Sequence, residues 1–225
     1  MATVKVVDII TRAKTLLQDT TSVRWPSTEL QLWLNDAYRD IVNLRPDSNT
    51  QTATYTCQAG ARQHLTTAFP TALRLIAVVR NMYSGSSLGA VRLIDRQVLD
   101  DQRRTWYSET AADTIQHYMF DPRLPKEFLV YPPATTNAQL EVAYSSVPTA
   151  HALSESELNN TATAETIRVD DSFSGAILDY ILYRAYSKDA EYAANAQRAV
   201  GHFQAFQGAL GAKGNAEAAS QPGVA

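Results

Sequence analysis

The hydrophobic period of the chain changes twice, and these changes constrain the fold more than any other feature of the sequence. Up to Pro46, apolar residues recur at steps of three and four; from there to Asp170 apolar and polar residues alternate, and beyond Asp170 the longer step returns. A period near 3.6 is typical of helices and a period of 2 is typical of strands. The sequence therefore predicts an α+β fold, in which helices from both ends pack as a bundle and a β-rich, sandwich-like region is inserted between them.

Two helices are predicted before Pro46. The first covers residues 4–18, and the second begins at Ser27, the predicted N-cap, and ends at Arg45. The apolar face of the second helix extends over four turns and is widened by two aromatic rings; its members are Leu30, Leu34, Ala37, Ile41 and Leu44, with Trp33 and Tyr38 beside them. We expect this face to lie in the core of the helical unit.

The middle of the chain is predicted to form strands separated by Pro, Gly and Asn residues. The first has threonine at alternate positions, and the strand candidates are residues 50–57, 62–65, 73–83, 128–131 and 139–147. One helix is predicted among them, from about Asp95 to Tyr107. Residues 148–164 are polar and lack a period, so the sequence predicts a long segment that is either functional or mobile.

After Asp170 a third long helix is predicted, followed by a fourth with a heptad-like stripe. The stripe contains Tyr192, Ala196, Ala199, Phe203, Phe206 and Leu210. Residues 211–225 are mostly Ala, Gly, Ser, Gln and Pro, which predicts a flexible tail. The expected organisation is a helical unit of residues 1–46 and 170–210, an inserted β-rich unit of residues 47–169 with one helix, and the tail.

No arrangement of residues predicts a catalytic site, a cofactor site or a metal site. The single cysteine, Cys57, excludes an internal disulfide, and His64, His117, His151 and His202 lack the spacing of metal ligands. Glycine-rich phosphate-binding motifs are absent from the sequence. The chain also lacks a secretion signal and an apolar run long enough to span a membrane, so it is expected to remain in the cytoplasm where it is made.

Four arginines between residues 92 and 104 raise the question of a nucleic-acid surface. Three aspartates interrupt them, and the net charge of the whole chain is −3. Because phosphate recognition needs an uncompensated basic surface, this pattern favours a self-paired, solvated helix face, with an acidic partner surface as the alternative. Candidate interface residues, including two from the tail, are Arg103, Arg104, Trp106, Lys213 and Val224.

Two segments resemble a known family, the head–tail adaptor (connector) proteins of tailed bacteriophages, and among them the adaptors of short-tailed phages called tail tubular protein A. Residues 24–47 contain the pattern W-x-x-x-E-L-x-x-W-x-N-x-A-x-R-x-I, which is similar to the second helix of the family. Residues 179–189 contain Y-R-A-Y-x-K-D, which is similar to the family's C-terminal helical hairpin and is followed by a matching run from Ala199 to Phe206.

The resemblance implies a structural protein of the virion that is not an enzyme. Such adaptors form rings, usually dodecameric, at the head–tail junction between the portal protein and the tail or nozzle proteins. Synthesis in the host cytoplasm and the absence of a membrane partner are expected as well, and the resemblance leaves open whether the ring lumen makes passive contact with genomic DNA. Two alternatives stay open: a β-rich ligand- or glycan-binding module with helical supports, and a hydrolase that combines His117 with Asp113 or Asp121.

Overall fold

The computed structural model describes residues 2–189, 191 and 193–220, with the backbone alone at 193 and 213–220. The helices are α1 (Val6–Leu16), α2 (Ser27–Leu44), α3 (Leu65–Ala68), α4 (Arg96–Gln102), α5 (Glu155–Leu158), α6 (Ser174–Lys188) and α7 (Ala193–Ser220). The strands are β1 (Thr50–Thr56), β2 (Gly60–His64), β3 (Ala72–Tyr83), β4 (Ser86–Ala90), β5 (Arg92–Leu93), β6 (His117–Met119), β7 (Glu127–Ala134) and β8 (Gln139–Ser146). These elements confirm the predicted α+β class.

The chain divides into two compact units. The helical unit contains the residues up to Ser48 and those from Pro148 onward, and the β unit contains Asn49–Val147. Residues 148–169 were expected in the inserted unit, but they lie with the helices. The reason is that Leu158, Ile167 and Val169 are buried in the core of the helical unit.

The helical unit has one apolar core, to which α1, α2, α6 and α7 all contribute. The predicted face of α2 is buried there, including its two flanking aromatic rings. Leu44 is the exception: it lies at the edge of this face in the last turn, and it is 55% exposed. On α7, Ala199, Phe206 and Leu210 are buried, and Tyr192 lies outside the described residues.

The N-terminus of α2 differs from the prediction that Ser27 is its N-cap. Pro26 occupies the N-cap position, and Ser27 is the first helical residue. The backbone N–H groups of Ser27 and Thr28, which have no acceptor within the helix, donate to the Glu155 carboxylate of α5, at 3.0 and 2.9 Å. A carboxylate from a distant part of the chain therefore replaces the local serine cap, and it lies where the positive end of the helix favours negative charge.

The β unit consists of two four-stranded sheets. The first has the strand order β1-β8-β3-β4 and is antiparallel throughout; the second has the order β2-β7-β6-β5, with a short parallel pair between β5 and β6. Tyr55 and Leu140 of the first sheet share a core with Phe128 and Val130 of the second. The two sheets therefore pack on a common apolar layer, as in a sandwich.

Candidate assembly surfaces

The segment from α4 to the 3-10 turn Trp106–Ser108 holds three of the predicted interface residues. The Asp95 side chain accepts a hydrogen bond from the Gln97 N–H at 2.9 Å and so caps α4, which ends at Gln102 rather than near Tyr107 as predicted. The chain then turns and buries the Trp106 ring, whose Nε1–H donates to Asp100 Oδ1 at 2.9 Å. Trp106 is therefore a core residue of the β unit, and it does not present an interface.

Arg103 is exposed but held in place. Its Nη1 donates to the Tyr131 hydroxyl at 2.7 Å and lies 3.4 Å from the Glu109 carboxylate. The same hydroxyl donates to Glu109 Oε2 at 2.9 Å. Because 58% of the Arg103 side chain remains exposed, the guanidinium is both positioned and accessible to a partner. Its neighbour Arg104 is exposed, and within the described part of the chain no ion pair of Arg104 is found.

Two other arginines of this region, Arg96 and Arg123, pair with acids nearby in sequence, whereas within the described residues no ion pair of Arg92 is found. Arg96 Nε lies 3.0 Å from Asp100, and Arg123 Nη2 lies 2.8 Å from Asp121. Hydrogen bonds from Trp106 and then Arg96 keep the pKa of Asp100 below its ordinary value, so this carboxylate stays charged. The surface therefore offers single guanidinium groups rather than a basic patch for nucleic acid.

The two C-terminal candidates lie largely beyond what the structure describes. Lys213 belongs to the backbone of α7, its side chain is not described, and Val224 lies outside the described residues. A flexible tail was predicted from Gly211, but α7 continues to Ser220. The reason is composition: alanine is the strongest helix former, and it is frequent in this stretch, where it offsets the glycines.

The two segments that carry the adaptor resemblance contact each other directly. Lys188 Nζ at the end of α6 donates to both oxygens of Glu29, at 2.7 and 2.8 Å, and Arg24 forms an ion pair with Asp189. We call these four residues the signature junction. Each pair is partly exposed, so its contribution to stability is small, about 0–1 kcal/mol. The junction is important because it joins residues that are far apart in sequence, by 159 positions for Lys188 and Glu29 and by 165 positions for Arg24 and Asp189.

The polar segment 148–169 is fixed on α2 by a partly buried hydrogen-bond network that the sequence did not reveal. His151 Nε2 lies 2.9 Å from the Tyr38 hydroxyl, and His151 Nδ1 lies 2.5 Å from Glu165. The Arg168 backbone N–H donates to the same hydroxyl at 3.0 Å, and its guanidinium reaches Glu165 at 2.9 Å. Desolvation lowers the pKa of His151, and the hydrogen bond with His151 lowers the pKa of Glu165.

The hydrolase alternative required His117 to lie near Asp113 or Asp121, and within the described residues no hydrogen bond or ion pair joins His117 to either carboxylate. The Asp113 carboxylate accepts from Thr135, and Asp121 pairs with Arg123. The His117 ring stacks on Tyr131, and within the described part of the chain its Nδ1 is buried without a hydrogen-bond partner.

The described residues contain no group of three or more His, Cys, Asp or Glu side chains that could hold a metal. Burial raises the pKa of the Cys57 thiol to about 12, which disfavours a reactive thiolate. Among the described residues, no helix is both long enough and apolar enough to cross a membrane.

Comparison with known proteins identifies a family for this chain. The family model described as SU10 adaptor protein matches residues 4–225, which is nearly the whole chain and includes both units. No curated protein matches the sequence.

Proposed function

Because the chain belongs to the SU10 adaptor protein family, and so has the structural role of a phage adaptor, we propose that it forms a ring, dodecameric in the simplest case, between the portal and the tail or nozzle proteins. The protein acts there by binding rather than by catalysis. Genomic DNA passes through the lumen of the ring with passive contact only. The alternative of a ligand- or glycan-binding module gains no support from the family match.

The signature junction is the observation that carries this proposal. Two separate segments suggested an adaptor from sequence, and their charged residues pair with each other in the helical unit. Residues that match a pattern by chance have no reason to meet in space. Their pairing supports the view that the pattern describes one shared structural module.

We propose Arg103 and Arg104 as contacts to an acidic surface of the portal or of a tail protein. Both are exposed, and Arg103 is held by Tyr131, which reduces the side-chain entropy lost on binding. A positioned guanidinium can bind a carboxylate with two parallel hydrogen bonds. The surrounding surface carries charges of both signs, so it does not attract every acidic protein. Such a surface favours a partner whose charges are complementary to its own.

Charge reversal tests this contact. The double substitution Arg103→Glu and Arg104→Glu is expected to weaken co-sedimentation with the portal or the tail protein of the same phage at least about tenfold, or about 1.4 kcal/mol. The matched control is Arg74→Glu, an exposed arginine of β3 whose reversal changes the charge in the same direction. Equal binding by the double variant and the unmodified chain to both partners would show that this surface is not an interface.

A further inference from the structure

The two edge strands of the first sheet lack two of the features by which folded proteins protect exposed strands, charged residues and proline, although the register between β3 and β4 shifts once, between Arg80 and Met82. β1 has the sequence TQTATYT and β4 has the sequence SSLGA, so neither contains a charged residue or proline. Every residue of β4 is exposed, and β1 is exposed at all positions except Ala53 and Tyr55. Natural edges are normally blocked by charges, proline, bulges or short length, because unpaired backbone groups recruit other strands.

The second sheet provides an internal comparison, because both of its edges are protected. β2 contains Arg62, whose side chain is 64% exposed and lies 3.8 Å from Glu127. At the other edge, β5 is only two residues long and begins with Arg92. The absence of charged residues is therefore specific to the edge strands of the first sheet, and it affects both of its edges.

β4 belongs to a tight hairpin that presents its free edge. Ser84 and Gly85 both have positive φ angles, 46° and 79°, as the two-residue turns of hairpins require. The turn joins β3 to β4 and leaves Tyr83 70% exposed and Leu88 49% exposed. Two large side chains with apolar surface thus accompany the unpaired backbone at this edge.

The order and direction of the strands define the partner that fits. In the first sheet each strand is antiparallel to its neighbour, so β4 runs opposite to β1. When two copies stand side by side in the same orientation, β4 of one copy meets β1 of the next as an antiparallel pair. Both edges are uncharged, so no repulsion opposes this contact. The contact uses different surfaces on the two copies, so a row of copies keeps one free edge at each end. These two edges pair with each other when the row closes into a ring.

We propose that β4 of one copy adds to β1 of the next copy by strand addition, so that the first sheets of neighbouring subunits join into one antiparallel sheet. This inference rests on the proposed ring, and it names the surface that closes it. The two strands have five and seven residues, so β4 is short enough to fit along the length of β1. Backbone hydrogen bonds supply the affinity, and burial of Leu88 adds an apolar contribution.

Two lysine substitutions test the pairing by giving each edge the charge that it lacks. Leu88→Lys blocks β4 and Thr54→Lys blocks β1, and both positions are exposed. Each substitution is expected to raise the dissociation constant of self-association, measured by sedimentation velocity on the full chain, at least about tenfold. The control is Leu93→Lys on β5, a 61% exposed position at the edge of the other sheet, which is expected to leave self-association unchanged.

A mixture of the two variants tests the head-to-tail arrangement. Leu88→Lys keeps an intact β1 edge and Thr54→Lys keeps an intact β4 edge, so the mixture is expected to form a heterodimer and nothing larger. Thermal unfolding verifies that each variant is folded, and Ser87→Lys and Thr52→Lys replace any variant that is not. The pairing is wrong if the folded variants associate like the unmodified chain, if Thr54→Lys alone has no effect, or if the unmodified chain stays monomeric at every soluble concentration.

Portal binding is measured in parallel, so that the two claims fail separately. If the chain binds the portal, and its self-association is the same in both edge variants as in the unmodified chain, the strand pairing is wrong and the adaptor function is supported. Edge-dependent self-association without portal binding supports the strand pairing and overturns the proposed function.

Discussion

At the scale of single residues, His151 shows how a polar side chain becomes part of a core. The residue is 3% exposed, and both of its ring nitrogens have hydrogen-bonding partners, Tyr38 and Glu165. Its backbone N–H donates to Asn35 Oδ1 at 2.8 Å, and Asn35 Nδ2 donates in return to the His151 carbonyl at 3.0 Å. These bonds satisfy groups whose burial would otherwise cost about 1–3 kcal/mol each.

The buried imidazole predicts that stability falls as the solution becomes mildly acidic. Desolvation lowers the pKa of folded His151 below its ordinary value of 6.5, although Glu165 opposes this effect and Arg168 adds to it. The unfolded chain therefore binds more protons than the folded one near and below pH 6.5, and the free energy of unfolding decreases as pH falls through this range. Urea unfolding between pH 8 and 5.5 measures the slope.

The variant His151→Gln is expected to show a shallower dependence of unfolding free energy on pH than the unmodified chain. Its control is His64→Gln, which removes a partly exposed histidine of the β unit. If His151→Gln and the unmodified chain have the same slope, protonation of His151 is not coupled to folding.

At the scale of elements, the segment 148–169 acts as a support for α2. Its helix α5 begins with a capping box, in which Ser154 and Glu157 satisfy each other's backbone groups. Glu155, which follows Ser154, takes no part in this capping box, and its carboxylate binds the N-terminus of α2. Burial opposes ionisation of Glu155, but hydrogen bonds from Ser27, Thr28 and Asn159 outweigh it and lower its pKa to about 2.

Removing the charge of Glu155 tests this support. Glu155→Gln is expected to lower the free energy of unfolding at pH 7 by about 1–2 kcal/mol, the usual range for loss of a helix cap. The matched control is Glu157→Gln, which alters a bond within α5 and leaves the cap of α2 intact. Because the folded pKa is depressed, the contribution of Glu155 is fully present above pH 4.5 and is lost as pH falls toward 2. Urea unfolding with equal losses in both variants would contradict the assigned cap.

The hydrophobic periods of the sequence were sufficient to predict most helices and strands, because the spacing of buried side chains follows the repeat of each element. The face of α2 was predicted correctly, since Leu30, Leu34 and Ile41 repeat at helical steps and are all buried. The cap of α2 was not, because Glu155 lies 127 or more positions from its partners. Trp106 was predicted as an interface residue, but the turn after α4 places it in the core.

A contact between distant residues also determines the role of Asp171. Asp171 directly precedes the third long helix in sequence, yet its carboxylate accepts from the backbone N–H groups of Thr3 and Val4 at 2.8–3.0 Å. Asp170 alone caps the following turn, through the Ser172 N–H at 3.1 Å. Which of two adjacent aspartates faces the helix and which faces another segment depends on packing, and no local pattern encodes it.

At the scale of the whole molecule, the chain combines two units that each have a core of their own. The helical unit carries the signature junction, and the β unit carries the exposed arginines and the two unprotected sheet edges. The ring that we propose contacts its own copies and two different partner proteins, so it needs several separate surfaces. The family match over residues 4–225 covers both units, which agrees with a role that uses both.

The most direct test of this account is a cryo-electron microscopy reconstruction of the full chain mixed with the portal protein of the same phage. The account predicts a closed ring of this chain on one face of the portal, with continuous density between β4 of each copy and β1 of its neighbour. Portal particles that remain bare in the presence of excess protein, or that bind it as scattered single copies without a ring, would contradict the adaptor function.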